Sequence, residues 1–183
     1  MVKKWTVLSS EYINRIPWLT TRKDVCELPN GKIMPGFYVQ EFPTWVTAFI
    51  VTKEGKVVLV QQYRHGLGEV CIETPGGVVD EGEAPEDAIR REVKEETGYI
   101  YESIEYLGKV SPNPSTNNNI MHMYLVKGAE KVAEQSLDET EDVEVLVYTI
   151  EEVKKLLREN KIMQSLHTSC MFYALNHLGE MHY

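Results

Sequence analysis

Cysteine is scarce in this sequence: Cys26, Cys71 and Cys170 stand far apart, with no C-x-x-C pair among them. An odd, dispersed set excludes a fully paired disulfide framework and fits a reducing compartment. Long apolar runs are also lacking. Val46–Val51, interrupted by Thr47, and Cys170–Leu175 are far too short to cross a bilayer. The opening MVKKWTVLSSEY has two lysines with no apolar stretch behind them, so neither a signal peptide nor a membrane association is expected, and the expected location is cytoplasmic. Positive charge is in deficit, with 19 Lys+Arg against 28 Asp+Glu, a net charge of −9 and a pI near 5.1. Nucleic acid and anionic lipid are therefore not expected partners, and an anionic ligand would need something to offset the charge. No internal repeat or low-complexity tract is present.

What is there is an ordinary globular composition, 43% hydrophobic and 26% charged with 12 Gly and 8 Pro, in 183 residues, enough for one domain plus a modest extension. Strand-like segments come first: Trp5–Leu8, Trp18–Leu28 closing on the turn Pro29-Asn30-Gly31, and Phe37–Phe42, a small antiparallel layer. Trp45–Thr52 and Lys56–Tyr63 flank the turn Lys53-Glu54-Gly55 as in a hairpin, and Val70–Thr74 continues in the same style. A helix is marked at both ends: Pro85 suits its first position, Glu86 and Asp87 suit the positive end of its dipole, and Gly98 suits a left-handed stop after Thr97. Its apolar stripe is Ala88, Ile89 and Val93. Ile104–Val110, Ile120–Val126 and Val143–Tyr148 read as strands, Ser111–Asn119 as a loop, and Ile150–Glu159 and Gln164–Leu178 as helices. The order points to a mixed sheet covered by helices, an α+β class.

The chemistry-bearing stretch is Gly77 to Gly98. Glu92, Glu95 and Glu96 stand at i, i+3 and i+4, so all three carboxylates share one helix face. A hard divalent cation would relieve their repulsion, since Mg²⁺ prefers oxygen ligands and commonly bridges carboxylates to phosphates. Taken alone, the same residues equally describe a solvated acidic face balanced by Arg90, Arg91 and Lys94. The neighbours change the balance: a Gly-Gly loop precedes the helix, Glu83 lies nine residues before Glu92, and Gly98 closes the segment. Gly77, Glu83, Arg91, Glu92, Val93, Glu95, Glu96 and Gly98 fit G-x5-E-x7-R-E-U-x-E-E-x-G-U, so the stretch resembles the Nudix box, departing only at Tyr99, where an aliphatic packing residue is usual.

The resemblance implies a Nudix fold: a mixed sheet sandwiched between helices (α/β/α) over residues 45–183, preceded at 1–44 by an antiparallel β extension used for dimerisation and for contact with the substrate base. It implies a pyrophosphohydrolase acting on a nucleoside diphosphate-linked small molecule. Glu92, Glu95, Glu96 and the carbonyl of Gly76 would hold Mg²⁺, with Mn²⁺ as a substitute; Glu96 and Arg91 are assigned catalytic roles, and Gly77, Glu83 and Gly98 structural ones, with Arg91 also bracing loop and helix. Gln61-Gln62-Tyr63-Arg64, Glu73-Thr-Pro-Gly-Gly77, Ser111-Pro-Asn-Pro114 and the acidic Leu137–Glu144 resemble the ADP-ribose pyrophosphatase branch, with Pro114 fifteen residues beyond Tyr99. In that branch Trp18 would stack on adenine, Arg22 and Arg64 would meet phosphate or ribose, Glu73 and Pro114 would line the substrate site, and the general base would be Glu139 or Glu141 on a mobile loop. The alternatives are a core position for Trp18, a solvated loop for Glu139 and Glu141 and, less favoured than the ligand role, a surface ion pair for Arg64. GDP-mannose or another nucleotide sugar is the alternative substrate, and a non-catalytic nucleotide sensor the alternative class.

Other residues read as structural. His65, His122, His167, His177 and His182 lack metal-ligand spacing. Cys71 is expected buried and inert, Met121 and Met123 share one strand face, and Asn117-Asn118-Asn119 suits a turn, with a ligand role left open.

Overall fold

β-Branched and aromatic segments become strands, and the near-continuous runs Val46–Ile50 and Val57–Val60 are buried on both faces. The computed structural model describes residues 1–181, so His182 lies outside the described residues. The chain divides into two units, Met1–Pro43 with Ser111–Ile120, and Thr44–Val110 with the chain from Met121 onward.

The first unit is an antiparallel sheet in the order β1-β2-β3, of β1 (Thr6–Ile16), β2 (Leu19–Glu27) and β3 (Ile33–Glu41). β1 is longer than its apolar residues suggest, because register shifts at Val7/Ser9 and Tyr12/Asn14 let the polar run pair with β2. β3 begins before Phe37 and carries Pro35 and Gly36, which an edge strand tolerates. Pro29-Asn30-Gly31 makes the expected turn, Gly31 taking φ 78°. The loop 111–120 is tied to β3 by Gln40 N–H donating to Thr116 O (2.8 Å) and by the Asn118 side chain accepting from Phe42 N–H (3.1 Å). Asn118 and the Asn119 amide, which donates to Pro43 O at 3.2 Å, are thus spent on backbone, while Asn117 Oδ1 accepts from Thr116 Oγ1 at 2.9 Å.

The second unit is a seven-stranded mixed sheet. Its strands are β4 (Trp45–Thr52), β5 (Lys56–Arg64), β6 (Glu69–Glu73), β7 (Tyr99–Ile100), β8 (Ser103–Val110), β9 (Met121–Lys131) and β10 (Val143–Thr149). The order is β10-β5-β4-β9-β7, with β6 on β5 and β8 on β9, and β4 runs parallel to β9. Alternation sends Val46, Ala48, Ile50, Val58, Tyr124 and Val126 to one face, under Ala88, Ile89 and Val93 of α1 (Pro85–Thr97). Phe49, Val57, Leu59, Met123 and Leu125 go to the other face, under Val153 of α2 (Ile150–Arg158) and Cys170, Met171, Ala174 and Leu175 of α3 (Ser165–His177). This is the expected sheet between helices. Truncating any of the larger of these side chains costs about 2–5 kcal/mol. Cys71 and Met123 are buried as expected. No helix among the described residues is long and apolar enough to cross a membrane.

Candidate active site

The segment before α1 is fixed by backbone pairing along β4. Val46 N–H donates to Gly77 O, Ala48 N–H to Pro75 O and Val79 N–H to Thr44 O, each at 2.9 Å. Pro85 starts α1 and Gly98, at φ 72°, ends it, its N–H donating to Lys94 O at 2.9 Å. A Cβ at Gly98 would strike the Ala133 carbonyl, and one at Gly77 would strike the Glu92 carboxylate. The Gly-Gly loop is therefore glycine partly to let Glu92 lie against the backbone.

Arg91 is the hub. Its Nε and Nη2 donate to the two oxygens of Glu83 (3.1 and 3.0 Å), Nη2 also to Val78 O (3.1 Å), and Nη1 to Glu92 (2.8 Å) and Glu95 (3.2 Å). Such a fork brings loop and helix together at fixed geometry. The hydrogen bond from Arg91 holds Glu83 below the usual carboxylate range. Arg90 is spent on Glu86 at 2.7 Å, so it does not balance the acidic face. Burial raises the Glu92 carboxyl and pushes Glu96 up to about 8, against the Gly76 N–H that donates to Glu96 at 2.8 Å. Glu96 is 4% exposed. Two buried acids on one turn, of which Arg91 bonds only Glu92, form a site short of positive charge.

Arg64, at the end of β5, is not a loose surface cation: its Nε and Nη2 donate to the two oxygens of Glu73, with Nε–Oε1 at 2.9 Å. Glu73 is 1% exposed and also accepts from Gln62 Nε2 at 3.3 Å. A cleft of about 490 Å³ opens beside this pair, lined by Tyr63, Leu67, Cys71, Met163 and Gln164 among others. The acidic loop reaches the site through Gln135, whose amide donates to Glu96 O (2.7 Å) and Val143 O (2.9 Å), and through Ser136 N–H, which donates to Glu95 O (2.8 Å). The charge of Glu141 is among those that push Glu92 and Glu96 upward. Both Glu139 and Glu141 are exposed.

The second unit thus brings together Arg64, Glu73, Gly76, Gly77, Glu83, Arg91, Glu92, Glu95, Glu96, Gly98 and the Glu141 loop. Trp18, Arg22 and Pro114 belong to the first unit. Trp18 is not a core aromatic: it is 67% exposed at the β1–β2 hairpin tip, with φ 63°. A non-glycine residue there costs of order 1 kcal/mol, a strain found mostly at functional positions. Arg22 donates from Nε to both oxygens of Asp24 at 3.0 Å and pairs with Glu41. Pro114 is exposed. The sequence signals missed Gln62, Thr74, Gln135 and His167. A lone histidine inside the apolar run of α3, which must find partners for two ring nitrogens, was the one signal available for His167.

No three acidic, imidazole or thiol groups among the described residues are gathered into a ready-made ion cage. Glu92 and Glu95 are turned onto Arg91, and Glu96 onto Gly76 N–H. The donor set nonetheless fits a hard divalent cation shared with a phosphate: oxygen ligands only, two of them buried, mutually repelling and undercompensated.

Comparison with known proteins agrees with this chemistry. Residues 42–168 match the NUDIX domain and residues 5–39 the nucleoside diphosphate sugar hydrolase N-terminal domain. The chain is 36% identical over 143 residues to a Bacillus methanolicus protein named methanol dehydrogenase activator, covering 78% of this chain and 77% of that one. It is 35% identical over 137 residues to an ADP-ribose pyrophosphatase of Bacillus subtilis strain 168, covering 74% of each. A solved structure described as an ADP compounds hydrolase superposes with a TM-score of 0.84 at 22% identity, covering 99% of each chain.

Proposed function

This chain belongs to the Nudix family and is a Nudix hydrolase, and from that premise we propose that it cleaves ADP-ribose or a related ADP-sugar to AMP and a sugar phosphate. The observation that carries the reading is the pair of buried acids, Glu92 and Glu96, on the turn that Arg91 and Glu83 lock to the Gly76-Gly77 loop. Glu92, Glu95, Glu96 and the Gly76 carbonyl would hold Mg²⁺, with Mn²⁺ able to replace it. When bound, the cation neutralises phosphate oxygens and lowers the pKa of a coordinated water.

The chain's own residues do the rest. Arg91 keeps the acids in register, and Gly77 leaves room for Glu92. Arg64, held on Glu73, offers Nη1 to an anionic oxygen of the ligand, a contact suited to the planar guanidinium. Of the two candidates for the base, Glu141 is favoured, because its charge already acts on Glu92 and Glu96. It would accept the proton of the attacking water as the bond to the phosphoanhydride oxygen breaks. In the first unit Trp18, strained and exposed, is proposed as the platform for adenine, and Arg22 and Pro114 as its neighbours in recognition.

The exposed Val7, Leu8, Ile13, Ile16 and Leu19 support a homodimer formed through the N-terminal sheet. Light scattering is expected to show a species of twice 21.0 kDa; a monomer alone at micromolar concentration would end that proposal. The test of the reaction is chromatography of products after incubation with ADP-ribose and Mg²⁺, with a chelator control and GDP-mannose in parallel. Chelator-sensitive AMP and ribose 5-phosphate are expected. Faster turnover of GDP-mannose would replace the substrate, and no turnover of a wider panel would favour a sensor.

A further inference from the structure

A buried polar chain below Arg64 plays no part in the chemistry just described. His167, on α3, is 3% exposed; its Nδ1 lies 2.8 Å from Thr74 Oγ1 and its Nε2 lies 3.3 Å from Glu73 Oε2. Burial lowers this imidazole to about 4, so at neutral pH it is uncharged and carries a single N–H. A carboxylate can only accept, which puts that proton on Nε2 and leaves Nδ1 to accept from the Thr74 hydroxyl. Thr74 Oγ1 in turn accepts from Thr47 Oγ1 of β4, 2.6 Å away. This order fixes one tautomer from β4 to Glu73, with Nε2–H turned to the carboxylate.

Glu73 passes the constraint on. A guanidinium bonded to both carboxylate oxygens lies near their plane, so turning the carboxylate turns Arg64. Gln62 donates to Glu73 Oε2 at 3.3 Å, and His167 Nε2 stands at the same distance from that oxygen, so the two together oppose that rotation. Arg64 Nη1 has no hydrogen-bond partner among the described residues and is the edge left for a ligand. A side chain held before the ligand arrives loses less freedom on binding.

We infer that His167 is a positioning residue, which fixes the Glu73 carboxylate and through it the plane in which Arg64 presents Nη1 to the anionic ligand. The inference rests on the assignment of Arg64 to the ligand made above. His167 touches neither ligand nor metal; its effect is to pre-set a binding group from the buried side of Glu73.

The test is steady-state kinetics on ADP-ribose in a double-mutant cycle. His167→Phe keeps a ring in the core and removes the hydrogen bond with Thr74 and the polar contact with Glu73, whereas His167→Gln retains one donor and one acceptor. The Phe variant is expected to raise KM about tenfold, the scale found for groups that orient a ligating residue, with kcat changed far less. The Gln variant restores most of the loss, and in an Arg64→Ala background His167→Phe has no further effect. An equal loss in that background, a loss in kcat alone, or no rescue by Gln would overturn the inference and leave His167 a packing residue. Nitrogen NMR of the wild-type imidazole tests it without any variant: the neutral Nε2–H tautomer is expected, and an Nδ1–H tautomer contradicts it. A wild-type protein that turns over no nucleotide conjugate removes the hydrolase reading and the inference with it, whereas a working enzyme with an additive cycle removes the inference alone.

Discussion

The three-stranded sheet and the seven-stranded sheet both draw on β-branched and aromatic residues and reach opposite states. In the larger sheet Val46, Ala48, Phe49, Ile50, Val57 and Leu59 are fully buried, because α1 covers one face and α2 and α3 the other. In the smaller one Val7, Ile13 and Ile16 remain more than half exposed, since three strands with no helix have nothing to lay over them. Cover differs, and composition follows it: the small sheet carries polar stretches such as Ser9-Ser10-Glu11 and Arg22-Lys23-Asp24. The covered sheet can hold buried charge in place, as Arg91 does for Glu92, and so carries the chemistry. The uncovered sheet presents apolar and aromatic side chains, Trp18 foremost, and is the part proposed above for recognition and self-association.

That contrast can be broken at either end. The largest effect belongs to the covered sheet: Glu92→Gln is expected to lower kcat about a hundredfold or more. Its melting temperature without divalent cation should be unchanged or raised, since a buried acid held above its usual range is replaced by a neutral group. A collapse of stability would show Glu92 to be a folding residue instead. Trp18→Ala, in the uncovered sheet, is expected to raise KM about tenfold by removing a stacking face, with kcat and melting temperature little changed. An unaltered KM would move base recognition elsewhere. Gly98→Ala should leave KM alone and cost about 1–3 kcal/mol in denaturant unfolding, because φ 72° and the Ala133 carbonyl both exclude a Cβ there.

The smallest effect is a pH slope confined to the covered sheet. Glu96 has an unfolded value near 4.5 and is pushed up to about 8 in the fold, so the folded chain holds the proton more tightly. The stability this confers is present below the unfolded value and is lost as pH rises towards 8. His167 acts the other way: lowered from 6.5 to about 4, it withdraws stability as pH falls below 6.5. Between pH 6.5 and 8 only the Glu96 slope is expected of the two. Melting temperature without divalent cation should fall across that window, Glu96→Gln should flatten the fall, and added Mg²⁺ should reverse it by binding the ionised form. A flat wild-type profile would count against burial as the cause.

Much of the covered sheet was legible in the sequence, and less of the rest. α1 runs from Pro85 to Thr97 as its end signals specify, because proline, first-turn acids and a terminal glycine act within a few residues. β1 and β3 run further than their apolar residues indicate, since their extent is set by pairing with β2, a partner distant in sequence. β9 continues to Lys131 and β7 forms at Tyr99–Ile100 for the same reason, each completing the other's edge. The spacing of Glu92, Glu95 and Glu96 announced the acidic face, and Arg91, expected to brace loop and helix, donates to Glu83, Val78 O, Glu92 and Glu95. That Arg64 rests on Glu73, and Glu73 on His167, joins residues from β5, β6 and α3, which no local pattern connects. Trp18 shows the limit from the other direction: its residue type and position suggested a platform or a core residue equally, and only its exposure separates the two.

The most direct test of the account is to follow AMP release from ADP-ribose by wild-type protein and by Glu96→Gln, each with Mg²⁺ and with a chelator, while measuring ligand binding to both by calorimetry. The account predicts chelator-sensitive AMP release by the wild type alone, with ADP-ribose bound by both. Equal turnover by Glu96→Gln, or turnover indifferent to the chelator, would contradict it.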